Sequence, residues 1–143
     1  MEGKHEIKFF FNIHDPEFYS KPIIVDTTPG KYISHVFIRC PIYDRRTNKK
    51  IGYKVSDDYL QQLGPDKYSV RISNTYYFKN GGTISWSYAF INNVPEVYYP
   101  VGKVAESNVI NTTGYYLGKK GHVKLLPTAD GLRKVNIKLY DTC

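Results

Sequence analysis

The sequence predicts an antiparallel all-β domain, and three observations carry that prediction. Val, Ile, Thr, Tyr, Phe and Trp supply 55 of the 143 residues, against 11 for Ala, Leu and Met. β-branched and aromatic side chains suit a pleated, half-buried surface, and few helix formers are left to compete. Gly, Pro, Asn and Asp interrupt the apolar runs at the short spacing of all-β folds. Within the runs, apolar and polar residues alternate with the period of a strand that buries one face. The length suits one domain over residues 1–143. So many strands must hide their edges, and closure into a single barrel of eight or nine strands removes them.

The first expected strand is Glu6–Ile13, ended by His14-Asp15-Pro16, and a short one over Ile23–Val25 follows Pro22. Ile33–Ile42 alternates, with Val36 and Ile38 on one face and His35, Phe37 and Arg39 on the other. The turn Asp44-Arg45-Arg46-Thr47-Asn48 leads into a strand over Lys49–Val55. Ser56–Leu63 is expected to be the one short helix, capped by Ser56, acidic at Asp57 and Asp58, and stopped by Gly64-Pro65. Tyr68–Phe78 and Thr83–Phe90 make a long hairpin, because Asn80-Gly81-Gly82 supplies the positive φ angles of a tight turn. Further strands are expected over Tyr98–Ala105, near Val109, over Gly114–Gly118, over Gly121–Leu126 and over Arg133–Tyr140. In the last, Val135, Ile137 and Leu139 share a face opposite Lys134, Asn136, Lys138 and Tyr140. The fold class is thus all-β with at most one or two short helices.

The net charge of +7 is concentrated in two segments, +6 over residues 31–54 and +4 over residues 119–143. If the fold brings them together, Arg39, Arg45, Arg46, Lys49, Lys50 and Lys54 join Lys119, Lys120, Lys124, Arg133, Lys134 and Lys138 in a surface for nucleic acid or another polyanion. The opening residues are too soon polar for a secretory signal, so an intracellular setting is expected. No apolar run approaches the length of a membrane span, and no membrane partner is expected. Two cysteines do not make a disulfide scaffold: Cys40 is read as a buried small apolar residue, and Cys143 ends the chain.

From His35 to about Leu126 the order of landmarks resembles the allene oxide cyclase and dirigent barrels. The residues that carry it are Cys40-Pro41-Ile42-Tyr43-Asp44 with Asn48-Lys49-Lys50-Ile51-Gly52. Tyr76-Tyr77-Phe78 through Gly81-Gly82-Thr83-Ile84-Ser85 follow, then Thr113-Gly114-Tyr115-Tyr116 with Gly118 and Gly121. Asn111-Thr112 stands where those families carry two glycines, and Lys119-Lys120 adds charge to the following strand. The resemblance implies an eight-stranded barrel, a homo-oligomer (dimer or trimer), and a lumen that admits a small apolar ligand. It places Asp44 nearest the cavity mouth as a weak candidate catalytic acid, although a turn residue bonding its own backbone is the plainer account.

None of His5, His14, His35 and His122 has metal-ligand spacing, so no metal and no cofactor is expected; only His35 and His122 are placed to meet across a barrel. Paired tyrosines at 76–77, 98–99 and 115–116 place one ring on each sheet face, one for the core and one for a partner. The leading expectation is a non-enzymatic binding protein for DNA or another polyanion. One alternative is a small-molecule cyclase, isomerase or dirigent-like protein, which calls for an open apolar cavity holding one or two polar groups. The other is a structural or assembly protein.

Overall fold

The computed structural model describes residues 4–141. Ten strands follow in order: β1 (Lys4–Asn12), β2 (Tyr19–Asp26), β3 (Ile33–Asp44), β4 (Lys50–Gly64), β5 (Lys67–Phe78), β6 (Thr83–Asn92), β7 (Ala105–Asn108), β8 (Asn111–Thr113), β9 (Lys120–Pro127) and β10 (Leu132–Tyr140). They form one antiparallel sheet ordered β7-β9-β10-β1-β3-β4-β5-β6-β8, with β2 attached to β3.

The two ends of that path are consecutive in the chain, and this closes the barrel. β7 pairs with β9, and β8 pairs with β6. Between them Val109 N donates to Gly121 O at 2.9 Å, and Ile110 N donates to Ser85 O at 2.8 Å. One strand, broken at residues 109–110, therefore bonds to both neighbours. Counted as one, β7 and β8 complete an eight-stranded wall, and β2 is a ninth strand outside it. β2 continues the β3 edge beyond β1, and all of its side chains are exposed.

The central hairpin forms as the sequence predicts. Tyr68 to Tyr77 pair with Asn92 to Thr83, Phe78 N donates to Gly82 O at 3.0 Å, and Gly81 takes φ 87°. The helix expected over Ser56–Leu63 is absent: those residues lie inside the fifteen-residue strand β4. Pairing along both edges, with β3 and β5, outweighs the local capping signals. Of Tyr98–Ala105 only Ala105 is in a strand, because Pro100 lacks a donor and Gly102 turns the chain at φ 80°. Gly114–Gly118 holds a single 3-10 turn (Gly114–Tyr116) in place of a strand. No helix of the described residues is long and apolar enough to cross a membrane.

The 3-10 turn caps one end of the lumen. Buried Tyr116 packs edge-on against Phe78 (centroids 5.4 Å apart), lies 5.9 Å from the His5 ring, and accepts a bond from Asn80 Nδ2 at 2.9 Å. Gly114 is needed here, since its φ is 60° and a Cβ would stand 2.1 Å from Gly81 O. The core continues inward through Phe9, Tyr76, Ile84, Trp86, Val123, Leu125, Val135, Ile137 and Leu139, all buried.

Candidate functional site

Below this apolar layer the lumen turns polar. Inward positions on β4 are Gly52, Lys54, Ser56, Asp58 and Leu60, each buried. Asn74 from β5, Cys40 from β3 and Arg133 from β10 face the same interior, and all three are buried. Two cations and a carboxylate thus occupy the inside of a small barrel, where desolvation penalises every charge.

Their satisfaction is incomplete. Lys54 and Asp58 form no ion pair within 4 Å, and the Lys54 ammonium lies over the Phe11 ring, 4.9 Å from its centroid. Burial pushes Asp58 above the ordinary carboxylate range, opposed by Lys54 and by Ser56. It pulls Lys54 down, opposed by Asp58. Ser56 is near enough to favour the carboxylate, yet Ser56 Oγ and Asp58 Oδ1 have no protein partner in good hydrogen-bonding geometry, and neither has Asn74 Oδ1. Asn74 Nδ2 donates to Tyr99 OH at 2.9 Å, and Trp86 Nε1 donates to Tyr76 OH at 2.9 Å. Burial raises both phenols. They act as acceptors and stay protonated.

Residues 93–104 cross the second barrel end and cover this cluster. Val97, Tyr98 and Tyr99, with Phe11, Ile38, Lys54, Asp58 and Arg133, enclose a cavity of about 20 Å³, room for one water molecule. Outside lies a cleft of about 300 Å³ walled by His14, Asn92, Val94, Glu96, Val101 and Thr128. Ile13, Tyr98, Tyr99 and Arg133 line both spaces, so the four form the partition between cleft and buried charges. Arg133 Nη1 donates to Thr128 O at 3.3 Å and to Leu132 O at 3.4 Å. Both bonds use Nη1, and buried Arg133 lines the cleft as well as the inner cavity.

The cyclase alternative called for an open apolar lumen. Trp86, Tyr76 and Tyr99 fill it instead, and what remains is a space of about 20 Å³ in which Lys54, Asp58 and Arg133 stand among apolar side chains. Asp44 is a turn residue at the capped end: its Oδ1 accepts from Arg46 N at 2.9 Å and Thr47 N at 3.0 Å, which holds the carboxyl below its ordinary range. Cys40 is buried, as the sequence predicts, and desolvation pushes its thiol up to about 11; Cys143 lies outside the described residues. His35 and His122 do not meet. His35 Nε2 is 3.0 Å from Asp57 Oδ1, and His122 Nε2 is 3.1 Å from Glu106 Oε2.

The two basic segments converge only in part. Lys54 and Arg133 belong to the lumen and are removed from any outer surface. Lys50 is held by Glu17 at 3.2 Å. Arg39 stands over Tyr19, and Lys124 and Lys134 are exposed on the outer wall. Arg45, Arg46, Lys49, Lys119, Lys120 and Lys138 gather toward the capped end, where Tyr140 pairs with both Lys4 and Lys120 and Arg45 N donates to Lys8 O. Among the described residues no three His, Cys, Asp or Glu side chains cluster to hold a metal ion. Composition missed the lumen cluster, but parity contained it: Arg133 has the register of Val135, Ile137 and Leu139, and Lys54 and Asp58 have that of Leu60.

No family model matches this chain, and no curated protein matches it in sequence. Solved structures do. The pterocarpan synthase dirigent protein GePTS1 superposes with a TM-score of 0.65 at 14% identity, covering 99% of this chain and 86% of that one. The pterocarpan synthase dirigent protein PsPTS1 gives 0.65 at 13%, covering 99% and 97%. A pyocyanin demethylase gives 0.61 at 14%, covering 94% and 99%. The fold is a dirigent-like barrel, as the sequence resemblance implied.

Proposed function

We propose that this barrel binds a small, oxygen-bearing organic molecule in the cleft at its open end and holds it in place. The observation that carries this reading is the buried group of Lys54, Asp58 and Arg133 directly beneath a cleft that shares Arg133 and Tyr99 with it. An apolar core of equal volume would be at least as stable as one holding these charges, so they fit a site better than a scaffold. The cleft volume lies at the low end of ordinary ligand sites. Arg133 offers a planar donor fork to a carboxylate, phenolate or carbonyl oxygen, and Tyr98 offers a ring face. The acid and the amine lie below Tyr99, which supports orientation of a ligand over its conversion. The names of the structural neighbours attach to pterocarpan and pyocyanin, both small organic compounds, and agree with this reading.

Calorimetric titration with 4-hydroxycinnamate and related phenolic carboxylates tests it. Saturable binding is expected, weakened about ten-fold or more in Arg133→Lys, which keeps the charge and loses the fork. Tyr98→Ala is expected to weaken it while leaving the thermal midpoint in place. Absence of binding by the whole panel, or equal affinity in both variants, overturns the proposal.

A further inference from the structure

The capped end carries the three most exposed large hydrophobic side chains among the described residues. Leu117 is 73% exposed, Ile110 66% and Tyr115 62%, all within one stretch of eight residues. Each is held out by local geometry. Ile110 sits at the break in the closing strand, its backbone bonded to Ser85. Tyr115 is in the 3-10 turn, and Leu117 follows it with its N donating to Gly114 O at 3.0 Å. Ile110 and Leu117 wall one open groove of about 700 Å³ together with Lys119, Lys120, His122 and Tyr140. Scattered exposed apolar residues need no explanation, but a cluster rimmed by cations does.

The cations come from three parts of the chain. Arg46 and Lys49 project from the β3–β4 turn and Lys79 from the β5–β6 turn; Asn80 bonds Tyr116 and Lys79 N donates to Ile51 O at 2.9 Å, which brings both turns to the end that Tyr116 closes. Lys120 opens β9 beside Tyr140. None of these four forms an ion pair among the described residues. Lys119 is paired with Asp141.

We propose that the capped end docks peripherally on an anionic lipid surface. Leu117, Tyr115 and Ile110 enter the headgroup layer, while Arg46, Lys49, Lys79 and Lys120 face its phosphates. Apolar side chains next to unpaired cations match a surface that is itself anionic outside and apolar beneath. A nucleic-acid backbone would satisfy the cations and leave exposed Leu and Ile without partners. The docked barrel would present its opposite end, and so the cleft, to water. The inference stands independently of what the cleft binds.

Co-sedimentation with vesicles of phosphatidylcholine alone and of phosphatidylcholine with phosphatidylserine provides the test. Binding is expected only with phosphatidylserine, and it is expected to fall steeply with added salt. Leu117→Glu should weaken it about ten-fold or more. Lys120→Gln should weaken it roughly five-fold, the equivalent of about one surface charge. Both positions are exposed, so an unchanged unfolding midpoint confirms that each variant is folded. The proposal is overturned if phosphatidylserine vesicles sediment no protein at low salt, or if Leu117→Glu binds like the parent. It is overturned equally if duplex DNA is retained in place of vesicles, or if light scattering shows a dimer that Leu117→Glu dissolves.

Discussion

At the capped end Tyr116 is buried, its hydroxyl bonded to Asn80 and its ring set against Phe78. At the open end the equivalent place is taken by Tyr98, exposed, and Tyr99, buried over charges. Both ends are closed by a short non-strand segment bearing adjacent tyrosines. They differ in what lies beneath: an apolar layer under Tyr116, and Lys54, Asp58 and Arg133 under Tyr99. A plug over an apolar layer adds to the stability of the fold. One over incompletely partnered charges covers groups that destabilise it, as functional sites commonly do.

Truncating one tyrosine of each closing segment should separate the ends most strongly. Tyr116→Ala is expected to lose about 3–5 kcal/mol, in the range of large aromatic truncations in cores. Tyr98→Ala is expected to stay within about 0.5 kcal/mol, as exposed positions do. Urea unfolding of both measures the contrast, and equal losses would break it.

Replacing the buried charges together sharpens the same contrast from below. The double variant Lys54→Met, Asp58→Leu is expected to gain about 1–4 kcal/mol, because apolar groups of similar size need no desolvation. Either substitution alone is expected to do worse than the pair, since it leaves one charge without its opposite. A double variant less stable than the parent would make the cluster part of the scaffold.

Acid titration isolates Asp58. Its carboxyl is raised in the fold above the ordinary 3.8, so the folded chain binds that proton more tightly than the unfolded one. Its contribution to stability is present below 3.8 and is lost as pH rises through the raised folded value. Unfolding free energies measured across that window should show this slope in the parent and lose it in Asp58→Asn. Lys54 has the opposite sign, with stability lost as pH falls through its lowered value, so the single variant is needed to read Asp58 alone. A smaller loss than that of Tyr116→Ala is expected at Asn80→Ala, which touches the same plug. It removes the bond to Tyr116 OH and the acceptor for Gly82 N, costs about 1 kcal/mol, and leaves cleft affinity unchanged.

Much of the wall was legible in order. Thr83–Phe90 reads as a strand because Ile84 and Trp86 alternate with Ser85 and Ser87, and the fold keeps that alternation. From Ser56 onward β4 was not legible, because inward Ser56 and Asp58, like Lys54 before them, are polar and invert the pattern by which an inward face is recognised. Ser56-Asp57-Asp58 then looks like a helix start. The same inversion placed Lys54 and Arg133 on an outer surface. Tyr98–Ala105 looks like a strand through its valines and tyrosines, but Pro100 lacks a donor and Gly102 turns the chain at φ 80°. The chain closes the barrel only from Ala105 onward.

The sequence by itself determined that this chain is rich in β-strand and where its central hairpin turns, because propensity, alternation and glycine spacing are local properties; the dirigent-like barrel was what the resemblance of its landmarks implied. Tertiary structure alone decided which charges face inward and which end each loop covers. Those outcomes depend on strands more than a hundred residues apart in the chain, β1 and β10 among them, meeting around one lumen, where neighbours in space, not in sequence, set the cost of every charge.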